Sequence, residues 1–270
     1  MNVSSSKQAT QVADGAGSPE PIVSVRGVYK TYPGGIEALS NISLDFPEGR
    51  LTTLLGPSGC GKTTLLKIIA GLLPATKGEV IVAGRKVEGP GPERAFVFQD
   101  FALMPWATVL RNVAFGLELR GVARSEREAV AARHIEQVGL KGFEKKFPHE
   151  LSGGMRQRVG LARALAVDAK VLLMDEPFSA VDEQTRRKFQ EDLLDLVARE
   201  RKTFIFVTHS IEEAVYVSDR IALLHRRPSR VHAVIEPRIV RTGDPEEIRR
   251  QPEYLDAVAN IWQSLKQYLD

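Results

Sequence analysis

The sequence predicts an α/β fold: a mostly parallel sheet covered by helices on both faces, with an antiparallel β subdomain ahead of it and a helical subdomain inserted into it. Three observations carry this. Short apolar runs alternate with helix-period segments between residues 49 and 227. A glycine-rich turn, 56 to 61, joins one such run to an apolar helical segment. Between about residues 101 and 165 the β-branched runs thin out and helical patterns replace them.

Taken in order, residues 1–21 are polar and lack the apolar core of a signal peptide, so they read as a disordered tail. Residues 22–32 and 36–46 alternate apolar with polar and read as two strands joined at Pro33-Gly34-Gly35. Residues 49–56 form an apolar strand, and 62–73 a helix apolar nearly all round, hence buried. "EVIVAG" and "AFVFQ" are further short strands, after which "SEREAVAARHIEQVGL" marks the helical insertion. Strand-like runs return at 170–177, 202–210 and 220–227. Asp182 is expected to cap a helix with Phe189, Leu193, Leu196 and Val197 on one face. Near the end, Asp244-Pro245-Glu246-Glu247 supplies an N-cap, a proline at the first helical position and a glutamate at the third. A stripe of Leu255, Val258, Trp262, Leu265 and Leu269 is expected to pack on the body of the protein.

Composition narrows the function. With 43% hydrophobic and 26% charged residues, the chain reads as a soluble globular protein. A net charge of +3, with the basic residues spread out, gives no reason to expect a nucleic-acid partner. One cysteine excludes an internal disulfide framework or a cysteine-built zinc site and fits a reducing compartment. No apolar run approaches the roughly 18–20 residues that cross a bilayer, so the chain is expected in the cytoplasm.

The glycine turn has a specific chemistry. Gly56-Pro57-Ser58-Gly59-Cys60-Gly61-Lys62-Thr63 satisfies G-x-x-x-x-G-K-[ST] between a strand and a helix. Glycines let the backbone wind around an anion, and the following helix adds unsatisfied N–H groups and the positive end of its dipole. Lys62 is expected to reach the β- and γ-phosphates of a nucleotide, and the Thr63 hydroxyl to coordinate Mg²⁺. Thr64, next on the helix, belongs to the same binding segment. Cys60 occupies a free position of the pattern, and no redox role is read into it. A phosphate loop also needs a carboxylate for the metal and a group to activate water. "VLLMDEP" supplies Asp175 for Mg²⁺ and Glu176 to polarise an attacking water. By themselves, two acids closing an apolar strand could equally cap the next helix.

Leu151-Ser152-Gly153-Gly154-Met155-Arg156-Gln157-Arg158 precedes another helical run. A serine and two glycines at a helix start make a second anion-binding surface, which one molecule does not need for one nucleotide. Two molecules facing head-to-tail do need it. Here the sequence resembles the ABC transporter ATPases, whose signature is LSGGQ, and the resemblance runs from residue 22 to the C-terminus. It implies a P-loop NTPase (RecA-like) core over residues 22–270, with ATP and Mg²⁺ as ligands. It further implies that Tyr32 stacks on adenine, that Gln99 contacts Mg²⁺ and the attacking water, and that Ser152, Gly153 and Gly154 close on the other subunit's nucleotide. Asp182, in Ser179-Ala180-Val181-Asp182, matches the loop crossing the dimer interface, and His209 the switch histidine at the γ-phosphate. Met155 replaces the usual signature glutamine, so no side-chain amide is available there.

The resemblance leaves two uses for the ATP: transport, with membrane spans on separate chains, or soluble work in DNA repair, chromosome structure or translation. Relatives of the second kind typically carry a long coiled coil or two cassettes, and this chain has neither. "LMPWATVLRNV", the signature and the short C-terminal region look most like bacterial importer ATPases for nitrate, sulfonate and taurine. That implies a homodimer at the cytoplasmic face of the inner membrane, bound to permease subunits and served by an extracytoplasmic solute-binding protein. Phe101, Leu103, Met104, Pro105 and Trp106 suit a socket for a permease helix. The alternative for them is filling of the local core.

Overall fold

The computed structural model describes residues 21–179 and 183–266 and contains two sheets. The first strands, β1 (Pro21–Tyr32) and β2 (Ile36–Pro47), pair antiparallel as their alternating patterns predict. β3 (Leu51–Leu55) runs through the phosphate loop into helix α1 (Lys62–Ala70). β4 (Lys77–Val82) and β5 (Arg85–Lys86) complete a four-stranded sheet of order β2-β1-β4-β5. Helix α1 stops at Ala70 rather than 73, because Gly71 caps it and accepts the chain's turn toward β4.

β6 (Arg94–Val97) precedes the helical insertion, formed by α2 (Val109–Leu119), α3 (Arg124–Gln137) and α4 (Gly153–Ala166), with one 3₁₀ turn at Pro148–Glu150. Then come β7 (Val171–Asp175), α5 (Glu183–Glu200), β8 (Thr203–Thr208), α6 (Ile211–Val217) and β9 (Arg220–Leu224). β10 (Val231–Ile235), which the sequence reading does not single out, adds an antiparallel edge. The second sheet has the order β10-β9-β3-β8-β7-β6 and is otherwise parallel.

The central strands are buried on both faces, and alternate residues feed two cores. Leu54, Leu173, Ile205, Val207 and Ala222 pack toward α1 and the antiparallel sheet. Leu55, Leu172, Met174, Phe204 and Phe206 pack toward the helical insertion, where Phe178 meets Phe189 edge-on and Phe206 at a tilt. Fully burying a side chain of this size contributes roughly 1.5–3 kcal/mol. This explains why the sheet reads as near-continuous hydrophobic runs.

The C-terminal region is two helices, α7 (Pro245–Arg250) and α8 (Pro252–Lys266). Asp244 caps α7, its carboxylate accepting the Glu246 N–H at 2.7 Å. The stripe expected on the last helix needs correction. The buried face is Tyr254, Val258, Ile261 and Leu265, at the i, i+4, i+7, i+11 spacing of one helical face. Leu255 and Trp262 lie off that line and are 55% and 53% exposed. Leu269, the Asp182 cap with its neighbours Ala180 and Val181, and the N-terminal tail as far as residue 20 lie outside the described residues.

Candidate active site

The parallel register builds the site. Leu55 stands level with Thr208, and Val207 with Asp175, on the adjacent strands β3, β8 and β7. The phosphate loop, His209 and Asp175-Glu176 therefore emerge side by side at the strands' C-terminal ends, where open α/β sheets bind ligands. On the next strand Val97 pairs with Met174, which brings exposed Gln99 to the same end of the sheet.

The loop is shaped from within. Gly59 and Gly61 take φ angles of +74° and +111°, the left-handed region that glycine alone adopts freely. A side chain at Gly61 would also collide with Leu39 and Ala38 of β2. Lys62 is buried, and its Nζ donates to the Gly56 and Pro57 carbonyls at 2.8 and 3.0 Å. The Cys60 N–H donates to the same Pro57 carbonyl at 3.2 Å. Cys60 is buried behind the loop, and burial pushes its thiol pKa up despite the nearby Lys62. No side chain caps α1, so its first-turn N–H groups stay available to an anion. Pro57 lends a carbonyl and Ser58 is exposed at the loop's tip.

Thr63 donates its hydroxyl to Asp175 Oδ1 at 2.7 Å. Asp175 is 4% exposed, and burial raises its pKa, with Glu176 adding a smaller push in the same direction. Thr64 and Tyr32 share a hydrogen bond at 3.1 Å, and Lys30 Nζ stands 5.5 Å from the centre of the Tyr32 ring. The aromatic that the resemblance assigns to adenine is thus tied to the phosphate-loop helix. A hydroxyl bonded to a carboxylate is a hard-oxygen pair of the kind that suits Mg²⁺. No group of three or more histidine, cysteine or acidic residues able to hold a metal occurs among the described residues.

Glu176 adopts φ +43°, a costly conformation for a glutamate. Its N–H donates to the Val207 carbonyl at 3.0 Å, and its carbonyl accepts from the Ser179 N–H and hydroxyl at 3.1 and 2.9 Å. Its Oε2 lies 3.3 Å from His209 Nδ1. The sequence reading does not single out the brace behind this pair. Thr208 Oγ1 donates to Glu213 Oε2 at 2.5 Å and accepts the Ser210 N–H at 3.1 Å, pinning both neighbours of His209. Burial raises the pKa of Glu213. The S-x-x-E pattern of Ser210 and Glu213 is the available signal, a helix start whose acid turns inward instead of closing a capping box.

Ser152 caps α4 by accepting the Met155 N–H at 3.3 Å. It is exposed beside Gly153 and Gly154. Among the described residues, no hydrogen bond, ion pair or ring contact joins these three to residues 56–64, 175, 176 or 209. Met155 packs partly buried against the core.

The segment after Gln99 is clamped twice. Phe101 and Ala102 both take left-handed φ, and Arg163 of α4 donates to their two carbonyls, each at 2.7 Å. Buried Asn112 bonds the Met104 N–H and the Met104, Ala107 and Thr108 carbonyls. Phe101 is buried, and Leu103 packs partly buried against the core of the helical side, whereas Trp106 is 74% exposed, which removes the core-filling alternative for Trp106.

A phosphate loop, an acidic pair and a histidine on neighbouring strand ends define a nucleotide hydrolase of the α/β class. A profile described as ABC transporter matches residues 39–179. The ATP-binding protein MJ0412 of Methanocaldococcus jannaschii, an uncharacterised ABC transporter component, is 50% identical over 234 residues, 87% of each chain. Taurine import ATP-binding protein TauB of Pseudomonas syringae pv. tomato is 51% identical over 211 residues, 78% of this chain and 81% of that one. Its Escherichia coli K12 namesake is 47% identical over 210 residues, covering 78% and 82%. A solved dimer of the ATP-binding cassette MJ0796, in a post-hydrolysis state with ADP and Pi, superposes with TM-score 0.71 at 34% identity, covering 82% of this chain and 100% of that one. The chain belongs to the ABC transporter family and is an ATP-hydrolysing transporter subunit.

Proposed function

We propose that this chain powers uptake of a small organic sulfonate of the taurine type. It works as a head-to-tail homodimer at the cytoplasmic face of the inner membrane, on separate permease chains fed by an extracytoplasmic solute-binding protein. The observation that carries the ATPase part is the row of strand ends holding residues 56–63, Asp175, Glu176 and His209. The relatives named for taurine import support the solute class. No helix among the described residues is long and apolar enough to cross a membrane, which agrees with spans on other chains.

In this reading Tyr32 holds the base and the loop N–H groups hold the phosphates. Lys62 exchanges its carbonyl partners for phosphate oxygens. Thr63, Asp175 and Gln99 would hold Mg²⁺, which when bound would offset charge on the phosphates. Glu176 takes a proton from the attacking water, and His209, beside its carboxylate, keeps the pair aligned. Ser152, Gly153 and Gly154 close on the nucleotide of the second subunit, with Asp182 at the interface. The clamped segment from Phe101 to Thr108 presents Trp106, beside Met104, to the permease.

Solute uptake by cells carrying the whole complex tests this. Labelled taurine uptake that disappears when this gene is deleted supports the reading. Retained taurine uptake with loss of nitrate uptake would overturn the solute class and keep the ATPase.

A further inference from the structure

The turn between β9 and β10 reaches the phosphate loop from outside the residues that define it. Arg227 in this turn donates from both Nε and Nη2 to the Gly59 carbonyl, at 3.1 and 2.9 Å. The N–H of the same peptide unit, on Cys60, is held by the Pro57 carbonyl, which also accepts from Lys62. One peptide plane in the middle of the loop is thus fixed at both ends. Among the described residues other than Gly59 and its two chain neighbours, Arg227 Nη2 is the one heavy atom within 4 Å of the position a Cβ on Gly59 would take.

The turn itself is firmly seated. Ser229 is fully buried, its N–H donates to the Ala38 carbonyl at 3.0 Å, and its carbonyl accepts from the Ser40 N–H at 2.9 Å. Leu224, at the end of β9, lies directly against Gly56. The hairpin therefore touches both halves of the loop, and it is bonded to β2, against which Gly61 packs. The charge of Arg227 also reaches the loop, where with Lys62 it opposes the upward push of burial on the Cys60 thiol.

We propose that Arg227 is a positioning residue for nucleotide binding: its guanidinium fork locks the Gly59–Cys60 peptide so that the neighbouring N–H groups stay aimed at the phosphates. This rests on reading residues 56–63 as the nucleotide's phosphate loop. Lysine cannot replace the fork, because it offers one point charge where two N–H groups now converge.

The test is titration of the full-length protein with ATP and with ADP, together with hydrogen exchange of the amides at 57–61. Arg227→Ala is expected to weaken both nucleotides about tenfold, as loss of charge-assisted hydrogen bonds does. It is also expected to speed exchange in the loop and leave the melting temperature within about 2 °C. Arg227→Lys is expected to recover less than half of that loss, and Arg230→Ala, an exposed arginine of the same turn, is expected to show none of it. Affinity within twofold of wild type in Arg227→Ala, or an equal loss in Arg230→Ala, would overturn the proposal. If Arg227→Ala does not fold, exchange in Arg227→Lys decides: wild-type protection at 57–61 overturns it. Lys62→Ala separates the two readings, since unchanged nucleotide affinity there defeats the phosphate-loop assignment itself.

Discussion

The Thr63 hydroxyl and the Asp175 carboxylate are joined at 2.7 Å although they stand 112 residues apart. The bond links the first turn of α1 to the end of β7 and places two oxygen donors together. It does so at a cost, because Asp175 is buried and its pKa is raised by that burial. A raised pKa means that the folded chain favours the neutral acid. The stability this contributes is full below the ordinary carboxylate range and is lost as pH rises through the folded value. Asp175→Asn is therefore expected to melt about 2 °C above wild type at pH 7 without nucleotide, and level with it near pH 3, while Mg²⁺-dependent hydrolysis collapses. Calorimetry at the two pH values checks the sign. A variant that melts lower at pH 7 would contradict the assignment of cause.

Glu176→Gln keeps the shape of the side chain and removes its basicity. Hydrolysis is expected to fall at least about 100-fold with ATP affinity retained. Sedimentation with ATP and Mg²⁺ is expected to show a trapped dimer, because in the proposed arrangement Ser152 and its glycines close on the other subunit's nucleotide. Monomer alone would argue against the composite site, and dimer only with the permease present would assign much of the alignment to the membrane partner.

Arg163 holds two carbonyls whose residues are both in the left-handed region. Burial lowers its pKa. Arg163→Ala leaves both carbonyls without this donor and is expected to cost about 2 kcal/mol, a fall of about 4–8 °C in Tm. Nucleotide affinity of the isolated subunit is expected to survive, since no residue of the phosphate loop touches Arg163. Thermal melts and ATP titration on one preparation separate the two effects.

Trp106→Ala removes a side chain that is 74% exposed, so stability is expected to stay within about 0.5 kcal/mol of wild type. Association with the permease is expected to weaken by about 2 kcal/mol or more. A pull-down against the permease, with a melting curve alongside, reads both quantities. Normal association would move the coupling surface elsewhere.

Much of the site was legible because its chemistry is local in sequence. Residues 56–63 form one uninterrupted pattern, and Asp175-Glu176 closes a run that only a buried strand explains. The braces were not legible. Arg163, Asn112, Glu213 and Arg227 act through backbone carbonyls or hydroxyls, which have no residue type to recognise, and their partners are fixed by tertiary folding. The C-terminal stripe failed for a simpler reason. Leu255 and Tyr254 are neighbours, and a partly buried helix can turn either toward the body; the larger ring went inward, where Arg249 stands 4.1 Å over the Tyr216 ring and its charge also reaches the Tyr254 hydroxyl. The buried Tyr254 hydroxyl, with its pKa pushed up to about 12, still finds the Glu212 carbonyl at 3.3 Å.

The register of β3, β8 and β7 has a consequence for how this protein ages under heat. The spacing between the strand ends that carry loop, histidine and acids is set by the rungs of a parallel ladder. Warming is not expected to change the spacing of those strand ends while the ladder stands, whereas the loop beyond β3, held by Arg227, can loosen first. Catalytic competence is therefore expected to fade before the central sheet melts, and to return on cooling as long as the ladder has held.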